Sequence, residues 1–306
     1  MSYDMKKYAY DLWDDFEYAA KKNEKRIKNN KQKFIEDNYL LNMGKKMDSK
    51  NPKTFTEKLN ANKLNKRKMK YYSSFADKNG VRKYVRKTIG EDHLVPQYFS
   101  KKKITVKDLE KLPNSFVLKT NNGSSSNYIV IDKTKEDLEK LCAYMNRLVK
   151  IKFGNIQGEL LYNYIKPRIV AEKLLLDAKV NIPDDLKCFC FIDNKGIKRK
   201  FLYLERVVGD DRKRLIFDEN WKPIDIGVTG FERLNIRLKK PKNSKKILQI
   251  IDKLSSQFNF VRVDLYLLKD KIYFGELTFT PTAGYMKFED NKTDLLWGEY
   301  IGNQLK

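Results

Sequence analysis

The stretch FVRVDLYLLKDKIYFGELTF, residues 260–279, decides the fold class that we predict for this chain. Two runs rich in aromatic and branched residues, 260–268 and 272–279, have the composition of β-strands. The three residues between them, Lys269-Asp270-Lys271, are typical of a tight turn. The pattern therefore predicts an antiparallel hairpin near the end of the chain.

Two acidic residues lie within this otherwise apolar hairpin. Asp264 and Glu276 stand at similar distances from the turn. Cross-strand neighbours come within ~5 Å, so both carboxylates can share one cation. Buried carboxylates need a partner, and Mg²⁺ held by oxygen atoms is one such partner. Arg262 and Thr278 add a cation and a hydroxyl nearby. A solvated face with Arg262 as the partner explains the hairpin equally well.

The rest of the chain combines helical and strand-like patterns. Residues 1–50 carry apolar residues at helical spacing among many lysines, and Thr54 and Glu57 have the spacing of a helix capping box. Further strands are predicted at 116–119, 128–131, 169–176, 186–192 and 200–206, and further helices at 81–86, 105–112, from 134 onward and at 243–257. The prediction is an α+β fold with mostly antiparallel strands.

A polar loop joins the first two of these strands. It begins after Lys119 and contains Gly123, Ser124, Ser125 and Ser126. Backbone N–H groups and serine hydroxyls in such a loop can surround phosphate oxygens. The loop lacks the Gly-Lys-Ser/Thr sequence that opens a helix in a P-loop. An ordinary turn explains the same composition.

The single histidine and the three cysteines do not suggest a nucleophilic mechanism. His93 lies in a loop without a serine or cysteine nucleophile motif nearby, and we interpret it as structural. Cys142, Cys188 and Cys190 lack the additional ligands of a zinc site and are interpreted as buried, reduced thiols. Positioning and metal electrostatics are then the expected mode of catalysis.

The composition indicates an anionic partner. With 64 Lys and Arg against 40 Asp and Glu, the 306-residue chain has a formal charge of +24, spread along its length. Such a surface attracts nucleic acid, anionic membranes or phosphorylated substrates. Zinc-finger, ribonucleoprotein and helix-turn-helix signatures are absent, so nucleic acid is not the expected partner. Neither a secretory signal nor a membrane-spanning run is found, so the expected location is the cytoplasm.

The order of these features resembles the ATP-grasp superfamily. Lys119 precedes a Gly/Ser loop, an Ala-Glu-Lys-Leu segment follows at 171–174, and Arg-x-Asp and Glu-x-Thr lie on the last hairpin. A closer resemblance is to the TupA-like ATP-grasp family, named for teichuronopeptide biosynthesis. It is carried by NPKTFTEKLN at 51–60, ADKNGVRKYV at 76–85 and the C-terminal stretch 260–284.

The resemblance implies an ATP-grasp fold, with the nucleotide held between two α+β subdomains after a basic helical segment. The implied boundaries are a helical segment at 1–50, an N-terminal subdomain at 51–113, a small ATP-grasp subdomain at 114–170 and a C-terminal subdomain at 171–306. The implied cofactors are ATP and Mg²⁺.

The resemblance also implies a role for each matching residue. Lys78, Lys119 and the loop from Gly123 to Ser126 match the nucleotide-phosphate ligands. The adenine hinge matches Glu172, Lys173 and Leu174, and the ribose contact matches Asp185 and Lys187. The metal ligands match Asp264, Glu276 and Thr278, and Arg262 matches the arginine beside the reacting acyl group. Thr278 departs from the superfamily, where asparagine is common at this position; a threonine hydroxyl is a weaker magnesium ligand than an amide oxygen.

The implied reaction joins a carboxylate to an amine at the expense of ATP, through an acyl phosphate. Family context points to a uronic-acid carboxylate and an amino acid or other amine, in capsule or other cell-surface polysaccharide synthesis. The positive charge would suit that acidic substrate and the anionic inner face of a membrane. Three alternatives stay open: a ligase extending a poly-acidic peptide, an ATP-grasp kinase, and a basic nucleic-acid-binding protein without catalysis.

Overall fold

The computed structural model describes residues 5–124, 127–176, 183–208, 211–229, 232–233, 240–269 and 271–302. The helices are α1 Met5–Asn29, α2 Lys31–Met43, α3 Phe55–Leu64, α4 Lys66–Ala76, α5 Val81–Ile89, α6 Val106–Glu110, α7 Leu138–Leu148, α8 Ser244–Ser255 and α9 Asn291–Glu299. The strands are β1 Gln97–Lys101, β2 Phe116–Thr120, β3 Asn127–Val130, β4 Ile169–Lys173, β5 Asp184–Ile192, β6 Lys198–Val208, β7 Asp211–Phe217, β8 Glu232–Arg233, β9 Phe260–Leu268 and β10 Lys271–Thr278. The predicted α+β class with mostly antiparallel strands is confirmed.

The chain divides into two compact units, and each unit is built from separate segments. Unit 1 contains Met1–Asn38, Met69–Arg82 and Val95–Leu175. Unit 2 contains Tyr39–Lys68, Lys83–Leu94 and Leu176–Lys306. The subdomain boundaries that the resemblance implies stay predictions.

Unit 1 is organised around a four-stranded antiparallel sheet with strand order β1-β4-β2-β3. The inner strands β2 and β4 are buried along most of their length, as expected for strands with neighbours on both sides. The apolar face of α7 lies against this sheet. This helix was predicted to begin at Thr134, which was wrong. It begins at Leu138 because the Asp137 side chain caps it by accepting from Lys140 N.

Unit 2 contains a six-stranded sheet with order β10-β9-β5-β6-β7-β8, antiparallel except for the short β7–β8 pair. Helix α8 packs against β9. Helix α3 begins at the predicted capping box, in which Thr54 N donates to Glu57 Oε2 at 3.0 Å and Glu57 N donates to Thr54 Oγ1 at 3.2 Å. The prediction for this helix is confirmed.

One face of the unit 2 sheet carries aromatic side chains at one end of its strands and charged side chains further along them. At one end, Phe191 and Phe260 pack with Phe55 of α3 and Trp297 of α9, with ring centroids 5.0–5.9 Å apart. Four residues further along β9, the same face carries Asp264 because side chains alternate with a period of two. Aromatic packing against α3 and α9 therefore holds in place the strands on which the charged residues lie.

Candidate active site

The two acidic residues of the hairpin face each other because of a β-bulge. From the turn outward the register is regular, with Lys271 opposite Leu268 and Phe274 opposite Leu265. A regular ladder would next pair Asp264 with Gly275. The register shifts there, and Glu276 becomes the partner of Asp264. Gly275 permits this close approach, since a Cβ at this position would lie 3.0 Å from the Asp264 carbonyl oxygen.

Arg262 joins the polar side chains of this region into the hairpin cluster, which comprises Arg262, Asp264, Glu276 and Thr278. Its Nε donates to Asp264 Oδ1 at 2.7 Å and its Nη2 donates to Asp264 Oδ2 at 2.6 Å. The same Nη2 lies 2.9 Å from Glu276 Oε1 and 3.0 Å from Thr278 Oγ1. Thr278 also donates to Glu276 Oε1 at 3.0 Å. The cluster thus contains one cation and two carboxylates.

Burial makes the second negative charge costly. The Asp264 side chain is buried, and this burial raises its pKa to about 7 even though the charge of Arg262 acts in the opposite direction. The Glu276 charge raises the Asp264 pKa further. Burial lowers the pKa of Arg262, but the charges of Asp264 and Glu276 outweigh it and raise that pKa above its ordinary value. The cluster therefore favours an additional cation.

The donor set fits magnesium that is shared with a nucleotide. Mg²⁺ in nucleotide sites is held by one or two carboxylates, with phosphates and waters completing the octahedron. Asp264, Glu276 and the Thr278 hydroxyl supply such a partial set. Within the described ranges, no group of three or more His, Cys, Asp or Glu could hold a metal. A cation at the hairpin cluster would therefore need oxygen atoms from a ligand.

Asp185 and Lys187 lie on β5, next to the hairpin cluster. In the sheet register Lys187 is opposite Asp264 and Asp185 is opposite Tyr266. Lys187 Nζ donates to Asp185 Oδ2. The other oxygen, Asp185 Oδ1, is buried and accepts no hydrogen bond from any described residue. Since such an atom is costly to leave unpaired, it is suited to accept from a ligand hydroxyl.

A second polar cluster lies in unit 1, and we call it the basic cluster. It consists of Arg82, Lys119 and Glu172. Lys119 Nζ donates to Glu172 Oε2 at 2.8 Å, and Arg82 Nη1 donates to Glu172 Oε1 at 3.2 Å. All three side chains are at most 16% exposed. Two cations share one carboxylate here, so the cluster favours an anion.

The predicted phosphate loop is partly a packed turn. Gly123 is buried, and a Cβ there would lie 2.5 Å from the Phe153 ring, so packing explains the glycine. Lys78 Nζ donates to the Gly123 carbonyl oxygen. Ser124 is exposed, while Ser125 and Ser126 lie outside the described residues. The phosphate role of these residues stays a prediction.

The predicted adenine hinge occupies the end of β4. Glu172 belongs to the basic cluster, Leu174 is buried and the Lys173 side chain is exposed. The Lys173 backbone N–H already donates to Pro96 O at 2.9 Å. The hinge role of Glu172, Lys173 and Leu174 stays a prediction.

Two polar residues were missed in the sequence. Arg82 lies within ADKNGVRKYV, one of the stretches that carry the family resemblance, and this position could have marked it as a candidate site residue. Asn121 is fully buried and binds two distant segments. Its Nδ2 donates to Asp77 Oδ1 at 2.8 Å and to Lys166 O at 3.1 Å, and its Oδ1 accepts from Arg168 N at 2.6 Å. The residues that flank Asn121 in sequence did not reveal these distant partners.

The interpretation of His93 and the cysteines agrees with their surroundings. His93 Nδ1 lies 2.7 Å from the Ile272 carbonyl oxygen. The three cysteines are buried and free, and burial raises the pKa of the Cys188 thiol. These residues contribute to packing.

The two α+β units, each with a mostly antiparallel sheet, have the architecture of an ATP-grasp protein. A family model described as TupA-like ATP-grasp matches residues 57–302, and the chain belongs to that family. This match confirms the resemblance noted in the sequence. A comparison with curated proteins found no match.

Solved structures of ATP-grasp ligases are distantly similar. A D-alanine–D-alanine ligase from Helicobacter pylori shares 16% identity over 74% of this chain and 61% of that chain, with a TM-score of 0.40. The Bacillus anthracis enzyme complexed with ATP shares 18% identity over 74% and 64% of the chains, with a TM-score of 0.37. A Chryseobacterium gregarium RiPP-associated ATP-grasp ligase, in complex with ADP and a leader and core peptide, shares 12% identity over 75% and 59% of the chains, with a TM-score of 0.36. The chain thus spans about three fifths of the length of these proteins.

The described helices offer no candidate for a membrane span, because none of them is both long enough and apolar enough.

Proposed function

We propose that this protein is an ATP-dependent carboxylate–amine ligase that acts through an acyl phosphate. The observation that carries this proposal is the hairpin cluster, in which one buried carboxylate, one partly exposed carboxylate and an arginine are held at a bulge on the last hairpin of an ATP-grasp chain. The two carboxylates favour a cation, and the arginine is suited to a reacting anionic centre.

The basic cluster and its neighbours would bind the nucleotide. Lys119 and Arg82 together exceed the charge of Glu172, which supports a contact with the phosphates, with Lys78 as a further cation. The buried oxygen Asp185 Oδ1 would accept from a ribose hydroxyl. The segment Glu172–Leu174 would bind the adenine ring.

Asp264, Glu276 and Thr278 would hold Mg²⁺ together with the phosphates. When bound, Mg²⁺ supplies neutralisation of the negative charge on the phosphate oxygens. In this state Arg262 would exchange part of its contact with the two carboxylates for a contact with the substrate. Its raised pKa keeps it charged throughout.

The reaction would have two steps. An oxygen of the substrate carboxylate attacks the γ-phosphorus of ATP, and the bond from that phosphorus to the β–γ bridging oxygen breaks, which releases ADP. The amine nitrogen then attacks the carbonyl carbon of the acyl phosphate, inorganic phosphate leaves and the nitrogen loses a proton. Arg262 would stabilise the negative charge that forms around the acyl group in both steps.

For the substrates, we propose a uronic-acid carboxylate and an amino acid or other amine, used in capsule or another cell-surface polysaccharide. Family membership and the +24 formal charge support an acidic carbohydrate. The same charge would suit contact with the anionic inner face of a membrane.

The test is ADP release with a panel of uronic acids combined with amino acids, using Glu276→Gln as the control. One acid–amine pair should raise ADP release well above the control, and hydroxylamine should trap the acyl intermediate as a hydroxamate. ADP release with an alcohol acceptor, without an amine requirement, would indicate a kinase instead. If every pair gives the rate of the control, the ligase proposal is wrong.

A further inference from the structure

A cavity of about 260 Å³ lies on the sheet face of unit 2 that carries the hairpin cluster. Its volume is below the ~300–1,000 Å³ of pockets for drug-sized ligands, so it suits a single small unit. Ten described residues line it: Lys187, Phe189, Tyr203, Val228, Thr229, Arg262, Thr282, Tyr285, Met286 and Lys287.

The charged residues of the cavity all have the same sign. Lys187, Arg262 and Lys287 are cations, and the described lining contains no carboxylate. Lys187 and Arg262 contact the carboxylates of Asp185 and Asp264 beside the cavity. Lys287 is exposed, and its ammonium group forms no ion pair with a described residue. Lys187 and Arg262 are thus already paired, and Lys287 adds the positive charge that favours an anion over an ammonium group in this cavity.

The uncharged lining is suited to a hydroxylated carbon skeleton. Thr229 and Thr282 carry hydroxyl groups that can exchange hydrogen bonds with ligand hydroxyls, and Tyr203 and Tyr285 add aromatic surface. Phe189, Val228 and Met286 provide apolar contact from other sides. Apolar and aromatic surface with a few placed polar groups is the composition of a small-molecule site.

One wall of the cavity is held rigidly from behind. Thr282, Ala283 and Gly284 have φ angles of 52°, 51° and 80°, a left-handed run that costs energy in residues other than glycine. Lys63 of α3 is fully buried, and its Nζ donates to Ala283 O at 2.6 Å. Asn60 Nδ2 donates to Gly284 O at 2.8 Å. Because α3 fixes this loop, this wall of the cavity is already formed before a ligand binds.

Arg262 connects the cavity to the hairpin cluster. Its guanidinium group binds Asp264 and Glu276, and the same residue lines the cavity. An anion seated against Arg262 would lie next to the carboxylates that we propose for the metal. This is the position that the attacking carboxylate of a ligase requires.

We propose that this cavity binds the acid substrate, a hydroxylated carboxylic acid of the size of one hexuronate ring, and that Lys287 is a specificity determinant for its charge. This inference rests on the proposed function, which supplies the need for an acid. The carboxylate lies between Arg262 and the lysines, and the ring lies among the tyrosines. The amine substrate binds elsewhere, because the described lining offers its ammonium group no carboxylate.

The test is isothermal titration calorimetry on the full chain with D-glucuronate as the probe. D-Glucose serves as the uncharged match and L-glutamate as the acid with an ammonium group. Each titration is made with and without Mg²⁺ and a non-hydrolysable ATP analogue. The variants are Lys287→Gln and Lys287→Glu, and the control is Lys195→Glu, which changes an exposed lysine outside the cavity.

We expect D-glucuronate to bind more tightly than D-glucose and L-glutamate. Lys287→Gln should raise its Kd by roughly threefold to tenfold, as expected for one exposed charged contact. Lys287→Glu should raise it further, and Lys195→Glu should leave it near the wild-type value. Equal effects of the two Glu variants, equal binding of glucose, or a preference for glutamate would overturn the inference.

The same samples separate this inference from the ligase proposal. If Mg²⁺ and the ATP analogue bind but D-glucuronate does not bind in their presence, the cavity assignment is wrong and the ligase proposal stands. If the nucleotide itself does not bind, the ligase proposal is wrong.

Discussion

The basic cluster and the hairpin cluster are both built from ion pairs, but their ratios of cations to carboxylates are opposite. In the basic cluster, Arg82 and Lys119 share the single carboxylate of Glu172. In the hairpin cluster, Asp264 and Glu276 share the single guanidinium of Arg262. Apart from Glu276, whose side chain is 37% exposed, the ionised groups of both clusters are largely buried, so a surplus charge is poorly screened by water.

The difference shows how ligand preference is encoded locally. The formal charge of +24 predicts an anionic partner for the whole chain and says nothing of where it binds. The clusters are specific: a surplus cation favours phosphate, and a surplus carboxylate favours a metal ion. The proposed function accordingly gives phosphate to the basic cluster and Mg²⁺ to the hairpin cluster.

The largest effect should follow from removing one carboxylate of the hairpin cluster. Asp264→Asn leaves one cation and one carboxylate, so the surplus negative charge disappears. We expect ADP release to fall by at least ~1,000-fold, in the upper range for loss of an electrostatic contact at a reacting centre. Coupled-assay kinetics measure this, and an unchanged circular dichroism spectrum shows that the variant is folded. Activity within tenfold of wild type would remove the metal role from Asp264.

Replacing the arginine with lysine tests the geometry at constant charge. Arg262→Lys retains one positive charge but cannot donate to both oxygens of Asp264 and to Glu276 at the same time. We expect kcat to fall by about 100-fold, with a smaller change in the KM for ATP. A kcat close to wild type would show that only the charge of Arg262 matters.

A smaller effect is expected in the basic cluster. Lys119→Met leaves Arg82 and Glu172 as a neutral pair, so the surplus positive charge is lost. We expect the Kd for ATP to rise by about tenfold, as for one hydrogen-bonded charged contact. Lys133→Met is the control, because Lys133 is a lysine of the same unit outside the cluster. Equal effects of the two variants would refute the specific role of Lys119.

The smallest effect concerns the bulge. Gly275→Ala places a Cβ 3.0 Å from the Asp264 carbonyl oxygen, so the strands must separate slightly. We expect a loss of about 1–3 kcal/mol in the free energy of unfolding, as for mild overpacking, with a several-fold loss of activity. Thermal unfolding monitored by circular dichroism, together with ADP release, checks both. An unchanged Tm and activity would show that the bulge tolerates a side chain.

The sequence predicted local features better than distant ones. The capping box of Thr54 and Glu57 and the hairpin from 260 to 279 depend on neighbouring residues, and both formed. Even there, the partnership of Asp264 and Glu276 was inferred from a symmetric turn, whereas the structure creates it with a bulge at Gly275. The spacing alone does not reveal a bulge.

Features that depend on strand order were missed. Lys119 meets Glu172 because β2 and β4 are neighbours, although 53 residues separate them in the sequence. The helices α4 and α9 were not predicted. Leu41 is one of the apolar residues at helical spacing within 1–50, which predicted a buried position, yet it is 81% exposed. Tertiary neighbours decide such positions, and a single sequence does not specify them.

The most direct test of the two-cluster account is calorimetric titration of ATP into wild type, Lys119→Met and Asp264→Asn, first in EDTA and then in Mg²⁺. The account predicts that Lys119→Met weakens ATP binding under both conditions. It predicts that Asp264→Asn binds metal-free ATP at least as tightly as wild type but loses the gain in affinity that Mg²⁺ provides. A full Mg²⁺-dependent gain in Asp264→Asn would contradict the account.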